Sequence, residues 1–91
     1  MAEKRYYTYM VECSDGTYYT GYTTNLEKRI KAHNTGKTGA KYTRTRRPVK
    51  LIYYEEYETL HDALSREAGI KRLTRKQKEE LRLQGGCGRG V

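Results

Sequence analysis

A small three-stranded antiparallel sheet flanked by about three helices, α/β in the layered α+β sense, is the fold this sequence predicts. Two observations on strands and one on helices predict it. Tyr6 to Cys13 and Thr17 to Thr23 are rich in tyrosine, threonine and valine, which suit a pleated half-buried surface, and the turn-forming Ser14-Asp15-Gly16 lies between them. Val49 to Tyr57, VKLIYYEEY, has the β-formers for a third strand. The remaining periodic stretches open on helix-capping residues.

In the hairpin, the turn length decides which side chains share a face, because side chains alternate along a strand. A three-residue turn with Gly16 left-handed pairs Val11 with Tyr19 and puts Tyr9 on their face; a two-residue turn separates them. After the hairpin, Thr24-Asn25-Leu26-Glu27 has the capping-box form and opens a helix to about Asn34, with Gly36 stopping it. On that helix Leu26 and Ile30 are apolar anchors, and Arg29 and His33, four apart, project from one side. Thr59 caps the next helix with Asp62 helping, and Leu60, Ala63, Leu64, Glu67 and Ile70 fall on one stripe. A carboxylate on an apolar stripe requires an arginine, a hydrogen-bonding partner or a metal ion, and position alone leaves an ion pair and a metal about even. Thr74-Arg75-Lys76-Gln77 repeats the capping-box form and opens a last helix ending near Leu83. Gly85, Gly86, Gly88 and Gly90 then mark a tail expected to be disordered, leaving residues 4–83 as one domain and 84–91 as the tail.

Nineteen lysines and arginines against eleven acidic residues give a net charge of +8 on 91 residues. Such a chain favours a polyanion, and nucleic acid stands ahead of a membrane surface because no lipid-facing amphipathic helix and no bilayer-length apolar run occurs. Met1-Ala2-Glu3-Lys4 carries no signal-peptide pattern, so the cytoplasm is the expected compartment. Cys13 and Cys87 are too few and too far apart for a zinc site or a disulfide framework. From Thr35 to Lys50 the chain is basic without an acidic residue: Lys37, Lys41, Arg44, Arg46 and Arg47 suit phosphate contacts, and Tyr42 suits stacking on a base. Lys71 extends that positive charge onto the second helix. Glu55, Glu56 and Glu58 read as the solvated end of the third strand. Of the ten tyrosines, in a chain with no Phe or Trp, Tyr6, Tyr7, Tyr18, Tyr53 and Tyr54 read as the amphipathic wall of the sheet.

Tyr7-Thr8-Tyr9 and Tyr19-Thr20-Gly21 on neighbouring strands, Arg29 and His33 on the following helix, Arg66-Glu67-Ala68 on a later one, and Gly39-Ala40-Lys41-Tyr42-Thr43-Arg44 between them occur in order. Together they resemble the GIY-YIG nuclease superfamily, and in particular its small stand-alone bacterial members, over nearly the whole chain. The first motif lacks the usual Gly-Ile, the second has threonine for isoleucine, and Tyr22 stands where some relatives place lysine. The resemblance implies a GIY-YIG endonuclease-like fold and a divalent-metal-dependent phosphodiesterase that hydrolyses DNA, with branched or damaged DNA in repair or recombination as the expected substrate. Glu67 would hold a single Mg²⁺ or Mn²⁺, Arg29 would neutralise charge on the phosphoryl oxygens, and Tyr9 or Tyr19 would take the proton of the attacking water, with His33 relaying or receiving it. The shared site of Tyr9 and Tyr19 also favours the three-residue turn. A monomer whose substrate preference comes from DNA structure or from a partner protein is expected. The alternative from another class is a non-catalytic nucleic-acid binding module that keeps the fold.

Overall fold

A computed structural model describes residues 5–35, 43, 45–85 and 89–90. In chain order these form β1 (Tyr6–Glu12), β2 (Tyr18–Thr23), α1 (Leu26–Thr35), β3 (Lys50–Tyr57), α2 (Leu60–Lys71), α3 (Arg75–Gly85) and the two-residue β4 (Arg89–Gly90). The three-stranded antiparallel sheet and the three helices are those expected. The sheet order is β2-β1-β3-β4, so the first strand is central. β4 pairs in parallel with Glu55 and Glu56 inside the stretch expected to be a disordered tail. The reason is local: an open β3 edge offers unpaired backbone groups to any extended segment that reaches it.

The hairpin closes through the three-residue turn. Gly16 sits at φ +84°, its amide donates to the Cys13 carbonyl at 2.9 Å, and Cys13 N–H donates to Thr17 O at 2.7 Å. Val11 therefore opposes Tyr19, and Tyr9 opposes Gly21. Helices cover both faces of the sheet. Tyr9, Val11, Cys13 and Val49 pack with Leu26 and Ile30 of α1 on one face, while Met10, Ile52 and Tyr53 pack with Ile70, Leu73 and Leu81 on the other. Consequently Thr8 to Val11 are buried without a break. A bulge opposite Met10 and Val11 lets consecutive Ile52 and Tyr53 both join the second face.

The caps refine the expected boundaries. Asn25, not Thr24, caps α1: its side-chain oxygen accepts from Lys28 N–H at 3.0 Å, and its own N–H donates to Thr23 Oγ1 at 3.1 Å. That second bond keeps Asn25 outside the helix, so the start moves one residue on. Thr59 caps α2 through Asp62 N–H at 3.1 Å, and Thr74 and Gln77 form the reciprocal box expected for α3. α3 runs two residues past Leu83. Its Arg75 guanidinium lies 3.9 Å from the Tyr18 ring centroid, and Arg82 donates to the Tyr18 hydroxyl at 3.2 Å, which clamps α3 to the hairpin.

Two expectations about packing fail. On α2, Ala63 and Ile70 are fully buried, but Leu60 and Leu64 are 40% and 37% exposed. The small Ala63 allows close approach, and Thr8 Oγ1 donates to its carbonyl at 2.7 Å, so the helix meets the sheet along a narrow line that leaves the two leucines beside it. Glu55 is not at a solvated strand end; it is 4% exposed. Arg66 grips it with Nε–Oε1 2.8 Å and Nη2–Oε2 3.1 Å, and the Tyr53 and Tyr57 hydroxyls donate to it. Burial acts against the Glu55 anion, yet those donors outweigh it and hold the carboxyl below its ordinary range, while Tyr53 is raised to about 12 by burial and by the carboxylate. The arginine-paired buried carboxylate weighed for α2 thus lies on β3. Glu56, 40% exposed, pairs with Arg5 at 2.8 Å.

Candidate active site

On the α1 face of the sheet the two tyrosine motifs and the helix meet. Tyr9, pinned in the central strand, is 1% exposed and extends its ring across Gly21. A β-carbon at position 21 would lie 2.7 Å from the Tyr9 hydroxyl oxygen and 2.9 Å from Cζ, so the glycine of the second motif is the space the Tyr9 phenol occupies. His33, one helical turn after Arg29, is fully buried between the rings of Tyr9 and Tyr19, with centroid separations of 5.8 and 5.5 Å and edge-on geometry. Its Nε2 is 2.7 Å from the Tyr9 hydroxyl, and its Nδ1 is 2.7 Å from Thr43 Oγ1. Arg29 Nε donates to the Tyr9 hydroxyl at 3.4 Å. Beside Arg29 opens a cleft of about 190 Å³ lined by Thr23, Thr24, Asn25, Lys28, Arg29 and Ala32.

Burial and the Arg29 charge oppose each other at Tyr9 and act together at His33. Burial raises the Tyr9 pKa above its ordinary 10; the Arg29 hydrogen bond and charge pull it back in part, and Tyr19 and the Glu67 carboxylate push it up further. Of these influences that of Glu67, carried on α2, is the smallest. Burial first, then the charges of Arg29 and Arg47, lower the His33 pKa from 6.5 to about 4, so the imidazole is neutral at pH 7.

Glu67 has a side chain 16% exposed and an i,i+4 contact with Lys71 at 3.2 Å, Lys71 being 52% exposed. The lysine takes the place of the arginine weighed as its partner. An exposed lysine on a flexible stem contributes little to such a pair and is readily displaced. Among the described residues no group of three His, Cys, Asp or Glu side chains converges as a cation cage. A lone, partly accessible carboxylate still fits a hard divalent cation that keeps most of its waters and takes its other ligands from a phosphate.

Of the residues expected to contact nucleic acid, Lys37, Lys41, Tyr42 and Arg44 lie outside the described residues. Arg46 pairs with Asp15 at 3.1 Å across the hairpin turn, and Ser14 N–H donates to its carbonyl at 2.9 Å. Arg47 Nε donates to the His33 carbonyl. Asn34 exchanges two hydrogen bonds with the Val49 backbone, at 3.0 and 2.6 Å. Both arginines thus tie the end of the basic segment to the hairpin and α1. Lys71 stays beside Glu67. Two residues that sequence reasoning passed over stand in the assembly: Lys28 on the cleft wall and Thr43 against His33. Thr43 lay within the stretch resembling the stand-alone members, but a threonine in a basic run carries no chemical signal of its own.

The family model described as the GIY-YIG catalytic domain matches residues 5–80. A UPF0213 protein of Syntrophus aciditrophicus is 55% identical over 75 residues, covering 82% of this chain and 86% of that protein. A UPF0213 protein of Clostridium perfringens is 60% identical over 75 residues, covering 82% and 80%. The solution NMR structure of a protein from E. faecalis is 51% identical, covers 88% of this chain and 85% of that one, and superposes with a TM-score of 0.59. That of a UPF0213 protein from Bacillus halodurans is 45% identical, covering 85% and 81%, with a TM-score of 0.55. No helix among the described residues is long and apolar enough to cross a membrane. With both tyrosine motifs, the helix arginine and the later glutamate on one fold, the chain belongs to the GIY-YIG family of nucleases, as a small member similar to the UPF0213 proteins.

Proposed function

We propose that this protein is a Mg²⁺- or Mn²⁺-dependent endonuclease that hydrolyses phosphodiester bonds in DNA. The observation that carries this reading is the buried contact of Tyr9 with His33 beside Arg29, with Tyr19 against the same imidazole. Glu67 would hold the cation, which when bound supplies charge neutralisation at the scissile phosphate and the leaving oxygen.

The chain's own residues divide the remaining work. Arg29, on the wall of a cleft that also presents Lys28, receives a phosphate and offsets the charge that gathers on its oxygens. Tyr9 is the group assigned to the attacking water, because its hydroxyl contacts both His33 Nε2 and Arg29 Nε. With its pKa raised, Tyr9 rests as the neutral phenol. It acts as a relay: it takes a proton from water at its oxygen while passing its own to His33 Nε2. A phosphate bound at Arg29 neutralises one of the charges that depress His33 and so makes the imidazole a better base when substrate is present.

The test is cleavage of a panel of branched, flapped and single-stranded DNA by the purified protein with Mg²⁺ or Mn²⁺, alongside Glu67→Gln. That variant should lose cation binding and cleavage together while keeping its fold and its affinity for DNA, since removing a carboxylate beside a polyanion does not weaken attraction. Retained cleavage with unchanged metal dependence would remove Glu67 from the mechanism. Absence of cleavage by the wild-type protein on every substrate, with DNA binding intact, would leave a binding module.

A further inference from the structure

Thr43 is fully buried, yet it comes from the basic segment between α1 and β3, where a buried side chain is not expected. Its hydroxyl oxygen lies 2.7 Å from His33 Nδ1. Counting donors orders the protons along this chain of contacts. A guanidinium only donates, so the Tyr9 oxygen accepts from Arg29 Nε and keeps its single proton to direct to His33 Nε2, 2.7 Å away. A neutral imidazole has one protonated nitrogen; if Nε2 accepts, Nδ1 carries the hydrogen and donates it to Thr43 Oγ1.

We propose that Thr43 is a positioning residue for His33, its hydroxyl oxygen holding the imidazole as the Nδ1–H tautomer so that the Nε2 lone pair faces Tyr9. This rests on the nuclease reading for its consequence in catalysis, though not for the tautomer itself. In the relay, water loses a proton to the Tyr9 oxygen as the Tyr9 proton moves to His33 Nε2, and the imidazolium so formed keeps its Nδ1–H on Thr43. With the opposite tautomer Nε2–H would point at Tyr9, the imidazole would offer the phenol no acceptor, and the relay through His33 would be closed. The contact also ties the basic segment to the candidate active site: Arg46 N–H donates to the Thr43 carbonyl at 3.0 Å, and Arg47 holds the His33 carbonyl.

Long-range proton–nitrogen NMR correlations of the ¹⁵N-histidine-labelled protein at neutral pH read the tautomer directly. The wild type should show His33 protonated on Nδ1, Thr43→Ser should keep that pattern, and the isosteric Thr43→Val should lose it. Cleavage by Thr43→Val at saturating DNA should fall about 10-fold or more, the scale of loss seen when the outer partner of a metal-bound histidine is removed, with DNA affinity unchanged and Thr43→Ser rescuing the rate. A wild-type spectrum showing Nε2–H overturns the proposal even if Thr43→Val does not fold. So does a folded Thr43→Val that keeps the Nδ1–H pattern and wild-type cleavage. The Nδ1–H pattern in a wild type that cleaves nothing sustains the role of Thr43 toward His33 and removes only the nuclease reading.

Discussion

Acid should weaken this fold through His33 well before its carboxylates titrate. Buried against Tyr9, Tyr19 and Thr43, and facing the charges of Arg29 and Arg47, His33 resists protonation until about pH 4, whereas in the unfolded chain it takes a proton near 6.5. The unfolded state therefore binds more protons throughout that interval, and stability falls as the pH is lowered through it. Moving from 6.5 to 4 corresponds to about 3 kcal/mol, at about 1.36 kcal/mol per pH unit, and about 2 kcal/mol of it should be gone by pH 5. Urea unfolding between pH 7.5 and pH 5 measures the loss, and comparison with His33→Gln isolates it, because exposed His61 is common to both proteins. The wild type should lose stability with a slope approaching one proton, and the variant, less stable at pH 7, should show a flatter profile. An NMR titration of the His33 ring supplies the microscopic check. A midpoint near 6.5, or equal slopes in the two proteins, would refute the idea that His33 is sealed and neutral.

Gly21→Ala should displace the Tyr9 phenol, which is already anchored to His33, and cost about 1 to 3 kcal/mol as overpacking; thermal unfolding at wild-type level would show that the ring has room to move. Thr20, the threonine in the second motif, is 3% exposed and its hydroxyl has no partner among the described residues, so Thr20→Val should raise stability by about 1 kcal/mol in denaturant titration, and a loss would reveal a bond to that oxygen. Arg66→Met should leave Glu55 buried with, among the described residues, the two tyrosine hydroxyls as its donors and cost about 2 to 3 kcal/mol, less than a fully buried pair because Arg66 is partly open to water. The wild-type Glu55 contribution is present above the ordinary carboxylate range and lost as pH falls through its lowered folded-state value, so the Arg66→Met deficit should be largest at neutral pH and shrink in acid.

The sequence by itself determined the local architecture. Ser14-Asp15-Gly16 is turn chemistry whatever surrounds it, and Thr59 and the Thr74/Gln77 pair cap helices through atoms three residues away, so these features hold in the folded protein. The resemblance to the GIY-YIG superfamily singled out Tyr9, Tyr19, Arg29 and His33, and local structure brings them near one another because they lie within 25 residues, on two paired strands and the helix that follows. Only the tertiary structure decided what depends on the far side of the sheet and on the basic segment. Glu55 looked solvated because its neighbours in sequence are charged, yet Arg66, eleven residues later, and the hydroxyls of Tyr53 and Tyr57 bury it. Leu60 and Leu64 looked buried because helical periodicity reports direction and not distance, and a helix drawn close at Ala63 leaves its flanking leucines open. Thr43 had no chemistry until the segment carrying it folded against His33, since a hydroxyl acquires a role only from the atom it meets.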